Sequence, residues 1–409
     1  MTNNLQAVRV RGEARKQTAV VLALVALAVL ALPAAASAEA TAKASIVGGR
    51  SATIAEFPSL AFIEAREGKQ GFACTGTVVA PRVVLTAAHC VESIEHGILT
   101  DAGSYALATG VTKPSEAAAE NIFRVTEAHV FPGFDPGALR GDAGILILDR
   151  PTTAPPIALA GPDDAALFVG GATVQLAGWG LTRANAENEP EGLRATQMLI
   201  RSANDCRRRT RSYYPSFSPA AQTCALDLPG KTSGGCFGDS GGPAIGQRPD
   251  GTPVELGVIS TGGNFCSTKL PNVFTRTDYI SGWVSEWIAA TESGGPRPVV
   301  DPKTPFPLMT KPVAETFAVF SLNDAFGSRF ERAKKIAGNC RRVSRSRFKC
   351  EIAWLVGPYV YAGVVSPFYV RHEDAVLWDS HFRFRWGVVR CLRKHEQGGP
   401  RCPIQSKRG

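Results

Sequence analysis

Between Ile46 and Ala290 the apolar positions fall into short runs of β-branched and aliphatic residues, separated by Pro, Gly and polar clusters. From Phe72 to Cys90, Val78, Val79, Val83, Val84 and Leu85 flank Pro81, and β-formers around a turn residue predict a hairpin. The stretch Gly141 to Leu148 becomes continuously apolar after Asp142, the pattern of a strand buried on both faces with an acid at its mouth. Val174–Gly180, Leu256–Ser260 and Pro271–Thr275 predict further short strands. From Tyr279 to Ala290 the period changes. Apolar residues at 280, 283, 284, 287 and 288 follow helical spacing and predict a closing helix with one face on the core. Many short strands closed by one helix predict an all-β body.

The pattern changes again after this helix. Pro and Gly density from Ser293 to Pro312 marks a linker. Leu322 to Ala337 then carries Ala325, Phe326, Phe330, Ala333 and Ile336 near helical spacing, and predicts a second helix. His381 to Trp386 alternates strictly, as a strand with one aromatic and one basic face. These elements predict a small α+β unit.

Composition adds a compartment and a division. The 409 residues are long for one domain of ~150, and 44% apolar with 20% charged residues is ordinary for globular chains. Arg9, Arg11, Arg15 and Lys16 precede an apolar run from Thr18 to Leu32 and an Ala36-Ser37-Ala38 site. That succession predicts a secretory signal peptide over 1–38, since an apolar run of this length falls short of the ~20 residues needed to span a bilayer. The mature chain is therefore expected to be secreted and extracellular, with no membrane span, and its ten cysteines to be disulfide-bonded. Residues 301–409 hold 20 of the 45 Lys and Arg against 9 of the 36 Asp and Glu, a net of +11. The remainder has 25 against 27, so the basic character belongs to the C-terminal quarter and suggests separate units.

Three places offer chemistry. Gly234 to Pro243 reads Gly-Gly-Cys-Phe-Gly-Asp-Ser-Gly-Gly-Pro and sets Ser240 among glycines that let backbone NH groups approach a reacting atom. Asp239 beside it is costly to bury unless a cation meets it. His89, in Thr86-Ala87-Ala88-His89-Cys90, is held next to a cysteine able to pair with Cys74 across the hairpin, a rigid setting suited to a general base. Asp142 needs a hydrogen-bonded partner at the mouth of its strand, and a histidine NH is a natural one.

Ile46-Val47-Gly48-Gly49, Thr86 to Cys90, Asp142 and Gly238 to Pro243, in that order, resemble the trypsin-like (chymotrypsin-fold) serine peptidases over residues 46 to about 290. The resemblance implies two six-stranded β-barrels with a C-terminal helix and an active site between them. It makes Ser240 the nucleophile, His89 the general base and Asp142 the group that holds the imidazole tautomer. The NH groups of Gly238 and Ser240 would form the oxyanion hole, and Ser260 matches the serine that hydrogen-bonds the catalytic aspartate. Cys74 with Cys90, Cys206 with Cys224 and Cys236 with Cys266 match family disulfides. Cleavage before Ile46 would free an amine that pairs with Asp239, making the chain a zymogen with a short propeptide over 39–45.

Departures from the family bear on activation and specificity. Ser45 stands where Arg or Lys is common, so a trypsin-like activator is not expected. Gly234 falls at the pocket floor, where trypsin-type members have aspartate, with Gly235 beside it. Ser260, Gly262 at the mouth, Asn272 on the inner wall and Phe237 over the rim complete the expected pocket, and Thr261 replaces a common tryptophan. Small to medium uncharged residues are the expected preference, not Arg or Lys.

The expected domains are thus the signal peptide 1–38, the propeptide 39–45, the peptidase 46–291, the linker 292–315 and a basic, disulfide-bonded accessory domain 316–409. In the last, Cys340 with Cys350 and Cys391 with Cys402 are neighbours in sequence and expected pairs. Zinc is the weaker alternative for His372, His381 and His395, as no CxxC spacing occurs; no cofactor or metal is expected. Arg341, Arg342, Arg345, Arg347 and Lys349 read as a solvated basic face or as a surface for an anionic cell-envelope polymer. The run Arg207, Arg208, Arg209 and Arg211 reads as a solvated loop. No nucleic-acid-binding module is recognisable. Protein or peptide substrates are expected; the alternative function is a catalytically silent trypsin-like fold acting as a binding protein.

Overall fold

The computed structural model describes residues 46–409 except 68, 69, 94, 95, 185–191, 212, 213, 215, 228, 229, 231, 302, 373, 374, 390 and 392–402. The expected signal peptide and propeptide lie outside the described residues, as do His395 and Cys402.

Six strands close the first barrel: β1 (Leu60–Glu67), β2 (Gln70–Ala80), β3 (Val83–Thr86), β4 (Tyr105–Thr109), β5 (Ile122–Val130) and β6 (Gly144–Leu148). They run in the order β1-β2-β3-β6-β5-β4, and β1 pairs with β4 to complete the circle. Pro81 and Arg82 form the turn of the predicted hairpin, in register Val78 to Val84. Every residue of β6 is buried, because β3 and β5 pair with its two edges and both its faces are covered.

The second barrel comprises β7 (Thr173–Gly178), β8 (Arg194–Ile200), β9 (Gln222–Leu226), β10 (Pro243–Gln247), β11 (Pro253–Thr261) and β12 (Asn272–Arg276), closed by the pairing of β8 with β9. Between β8 and β9 lies α1 (Ala203–Thr210). The arginine run expected as a loop is therefore mostly helical: Ser202 caps the helix, and Arg201, Arg208 and Arg209 gather on the buried Asp205. Helix α2 (Thr277–Ser293) buries Ile280, Trp283, Val284 and Trp287 against the first barrel, the face its spacing predicts.

The C-terminal region is one helix on a five-stranded antiparallel sheet of β13 (Lys335–Ser344), β14 (Arg347–Val356), β15 (Tyr359–His372), β16 (Ala375–Val388) and β17 (Gln405–Arg408). The helix differs from the predicted span. Helix α3 runs Lys311–Phe326, starting inside the expected linker with Pro312 in its first turn and stopping at Gly327, whose positive φ of 49° ends it. After a helical turn at Ser328–Glu331 the chain enters β13, so Ile336 and Ala337 are exposed on an edge strand. Phe317, Phe326, Trp354, Tyr361, Trp378 and Phe384 fill the space between helix and sheet. In β16 the alternation holds: Phe384 is buried while His381, Arg383 and Arg385 face outward.

Charge asymmetry suggested separate units, yet Ala375 and Leu377 belong to the same buried cluster as the first barrel. The described residues form one compact unit.

Candidate active site

The chemistry of the site begins with two local constraints. His89 lies in the single turn Ala88–Cys90 that follows β3, and the Cys74–Cys90 disulfide ties this turn back to β2. Asp142 sits before β6 with its side chain fully buried. Barrel closure brings the two together: His89 Nδ1 lies 2.8 Å from Asp142 Oδ2, and the His89 backbone NH donates to Oδ1 at 3.0 Å. Ser260 Oγ donates to Oδ2 at 2.6 Å from the second barrel. These bonds place the proton on Nδ1 and leave Nε2 free to act as a base. Burial alone would lower the His89 pKa, but the charge of Asp142 and its hydrogen bond outweigh this and raise it. The ring keeps about a fifth of its surface open, with side-chain exposure of 22%.

Ser240 is held by the backbone around it. Gly238 has φ 94° and Gly241 φ 82°, conformations that favour glycine, and a Cβ on Gly238 would come within 2.9 Å of Gly180 Cα. Thr75 of the first barrel clamps the turn, its NH donating to Ser240 O at 2.9 Å and its Oγ1 to Gly238 O at 2.9 Å. Among the five consecutive NH groups from Gly238 to Gly242, those of Asp239, Gly241 and Gly242 donate to backbone carbonyls. Those of Gly238 and Ser240 have no acceptor among the described residues. Two free donors flanking a serine can stabilise an oxyanion.

His89 and Ser240 line one cavity of about 600 Å³ together with Phe237, Thr261, Gly262 and Asn272. Asn272 is its polar element: Oδ1 accepts the Gly235 NH at 3.1 Å, and a Cβ on Gly262 would lie 2.6 Å from Nδ2. Gly234 sits one layer behind, where a Cβ would meet Asn272 Oδ1 at 3.1 Å, and its NH bonds to Val47 O at 3.0 Å. Phe237 at the rim is 60% exposed. A second cavity of about 600 Å³, between Phe57, Leu60, Pro155 and Pro253, contains no histidine.

Ile46 and Asp239 are both fully buried. Ile46 packs with Val174, Leu176 and Met198 in the second barrel. Asp239 accepts the NH of Gly180 at 2.9 Å and of Cys236 at 2.8 Å. Burial pushes its carboxyl up to about 7, although both bonds pull the other way.

Disulfides join Cys206 to Cys224, Cys236 to Cys266 and Cys340 to Cys350; Cys391 is also disulfide-bonded. No cluster of three or more metal-ligating side chains occurs among the described residues. Two features escaped sequence reasoning. Leu139 lines the cavity beside His89 with a positive φ of 43°, on a loop without a chemical signature. Glu92, two residues past Cys90, is buried with neither oxygen partnered among the described residues; burial, then the charge of Asp142, push its carboxyl well above the usual range.

Comparison with known proteins places these features in context. The Trypsin family model matches residues 46–284. The chain is 29% identical over 235 residues to a trypsin of Saccharopolyspora erythraea, covering 56% of this chain and 92% of that one. It is 28% identical over 251 residues to a chymotrypsin of Phaedon cochleariae, covering 60% of this chain and 83% of that one. It is 28% identical over 268 residues to the transmembrane protease serine 9 of rat, covering 64% of this chain but only 24% of that protein's length.

Proposed function

Because the chain belongs to the trypsin family of serine peptidases, we propose that it is a secreted serine endopeptidase, made as a zymogen and activated by release of Ile46. In this reading Ser240 Oγ attacks the scissile carbonyl and His89 Nε2 takes its proton. The resulting imidazolium is stabilised by Asp142, and the tetrahedral oxyanion by the NH groups of Gly238 and Ser240. His89 then gives the proton to the departing amine, and water repeats the sequence on the acyl-enzyme. The observation that carries the proposal is the pair of unused NH groups beside Ser240, in the same cavity as a histidine already bonded to a buried aspartate.

The cavity favours uncharged side chains at the cleaved position. Its lining has an amide, Asn272, and no carboxylate among the described residues, the Asp239 side chain behind Gly235 being fully buried, so Arg and Lys would find no exposed counter-charge. Secretion is supported by the disulfides, which suit an oxidising compartment, and no helix among the described residues is long and apolar enough to cross a membrane. The exposed Arg341, Arg345 and Arg347 support binding of an anionic envelope polymer by residues 316–409; such binding should weaken steeply with salt.

A fluorophosphonate probe tests the reaction. The chain processed to Ile46 should be labelled, and Ser240→Ala should not. No labelling of verified processed protein would instead favour a silent fold that binds without cleaving.

A further inference from the structure

The loop from Phe131 to Gly141 leads directly into Asp142, and its carboxylate Asp135 is only 2% exposed. Oδ1 of Asp135 accepts the NH groups of Gly137 at 3.2 Å and Ala138 at 3.3 Å, while Oδ2 accepts Arg140 Nη2 at 2.8 Å. The Asp135 NH donates to Arg140 O at 2.9 Å, closing the loop on itself. One further donor comes from far along the chain: Tyr369 Oη, on β15 of the accessory domain, reaches Oδ1 at 2.9 Å. Tyr369 is itself buried, edge-on to Phe317 of α3. Gly137 packs so closely on the same domain that a Cβ there would overlap Val313 Cγ1 and lie 2.9 Å from Tyr369 Oη.

The second barrel holds the opposite side of the loop. Tyr214 Oη donates to Ala138 O, and Gln222 Nε2 donates to Leu139 O at 3.0 Å. Leu139 is thereby suspended between two domains in a left-handed conformation that a non-glycine residue keeps only where its surroundings over-determine it. From that position it lines the catalytic cavity next to His89. Gly97, a few residues past His89 in the chain, meets the same domain, since a Cβ there would overlap Trp378 O. A module merely tethered by a linker would make no such buried contacts.

We infer that the accessory domain is a working part of the catalytic cleft, with Tyr369 and Val313 acting as positioning residues that hold Leu139 beside His89 and so tune substrate binding in the cavity that Leu139 lines. The inference rests on the peptidase reading for its effect on catalysis, but the bracing itself can be measured without it.

The test compares the full processed chain with Tyr369→Phe, which removes one hydroxyl, and with Val313→Ala. Amide exchange at Gly137 should quicken about tenfold in Tyr369→Phe, because its acceptor loses its outside donor, whereas the Ala138 NH is also held by Asp135 O at 3.0 Å. For peptides with a bulky apolar residue at the cleaved position, KM should rise about five- to tenfold with kcat within twofold, the pattern of lost uniform binding. Peptides with glycine there should change less than twofold. Unchanged exchange at Gly137 would overturn the bracing whether or not the chain cleaves peptides. Faster exchange without the selective KM change, or with a kcat loss common to all peptides, would overturn the role in substrate binding. Absence of both cleavage and fluorophosphonate labelling in the unmutated chain would refute the peptidase reading instead, leaving the exchange result to decide the bracing.

Discussion

Asp239 is the side chain whose perturbation tests activation most directly. It is fully buried, its oxygens accept two backbone NH groups, and burial raises its carboxyl from 3.8 to about 7 with no cation among the causes. A lift of that size corresponds to roughly 4 kcal/mol at about 1.36 kcal/mol per unit. The folded chain holds this proton more tightly than the unfolded one, so the stability it contributes is complete below about pH 4 and is lost as pH rises to about 7. Cleavage before Ile46 would create an amine with a pKa of about 8. Such an amine ~4 Å from the carboxylate, at an effective dielectric of ~20, is attracted by roughly 4 kcal/mol. Attraction and cost are of the same size, so cleavage can offset the burial of the charge.

The assay is denaturant unfolding of the chain in a Ser240→Ala background, cut and uncut at the Ser45–Ile46 bond, at pH 5 and pH 7.5. At pH 5 the uncut chain keeps Asp239 protonated and has lost roughly 1.6 kcal/mol of that contribution, at about 1.36 kcal/mol per pH unit above 3.8; at pH 7.5 it bears nearly the full cost. The gain on cutting should therefore be larger at pH 7.5 by about 2–3 kcal/mol. Asp239→Asn should remove this difference, and with the serine restored it should lower activity of the processed enzyme by about 10²- to 10³-fold, since 1.4 kcal/mol is a factor of ten. A cutting gain identical at the two pH values, or full activity in Asp239→Asn, would refute the pairing.

Three further outcomes are expected. Asp142→Asn should lower kcat by about 10⁴, and the acid limb of its pH–rate profile should move to lower pH, because the charge and bond that raise the His89 pKa are removed while burial still lowers it; an unmoved limb would contradict this account. Gly262→Val should crowd Asn272 Nδ2, 2.6 Å from the new Cβ, and cut kcat/KM for peptides with Phe at the cleaved position by at least about tenfold more than for Ala, measured on a chromogenic panel. Trp354→Ala should destabilise the accessory domain by about 3–5 kcal/mol, read from denaturant unfolding, because this residue is 1% exposed and stacks on Tyr361 with ring centroids 4.8 Å apart.

Local pattern carried much of the architecture. The Pro81 hairpin, the doubly buried strand behind Asp142 and the apolar face of α2 all lie where the periodicity of hydrophobic residues predicts them. Helix limits in the accessory domain were not legible, because Pro312 and Gly327 set the ends of α3 while apolar residues continue into an exposed edge strand. In the site, glycine spacing around Ser240 and the residue types at 89 and 142 pointed to the chemistry. The bond from Ser260 to Asp142, which the family resemblance implied, forms across 118 residues because the second barrel meets the first.

The sequence by itself determined which residue types are available for the proposed acyl transfer, since a serine, a histidine, an aspartate and a glycine turn are properties of residue type and short spacing. Only the tertiary structure decided what surrounds them. Leu139 enters the cleft, Glu92 is buried near Asp142, and Tyr369 reaches Asp135 over 234 residues of chain. These contacts arise because burial of two barrel cores and a helix-covered sheet forces distant segments together, and no local periodicity records which distant backbone a side chain will meet.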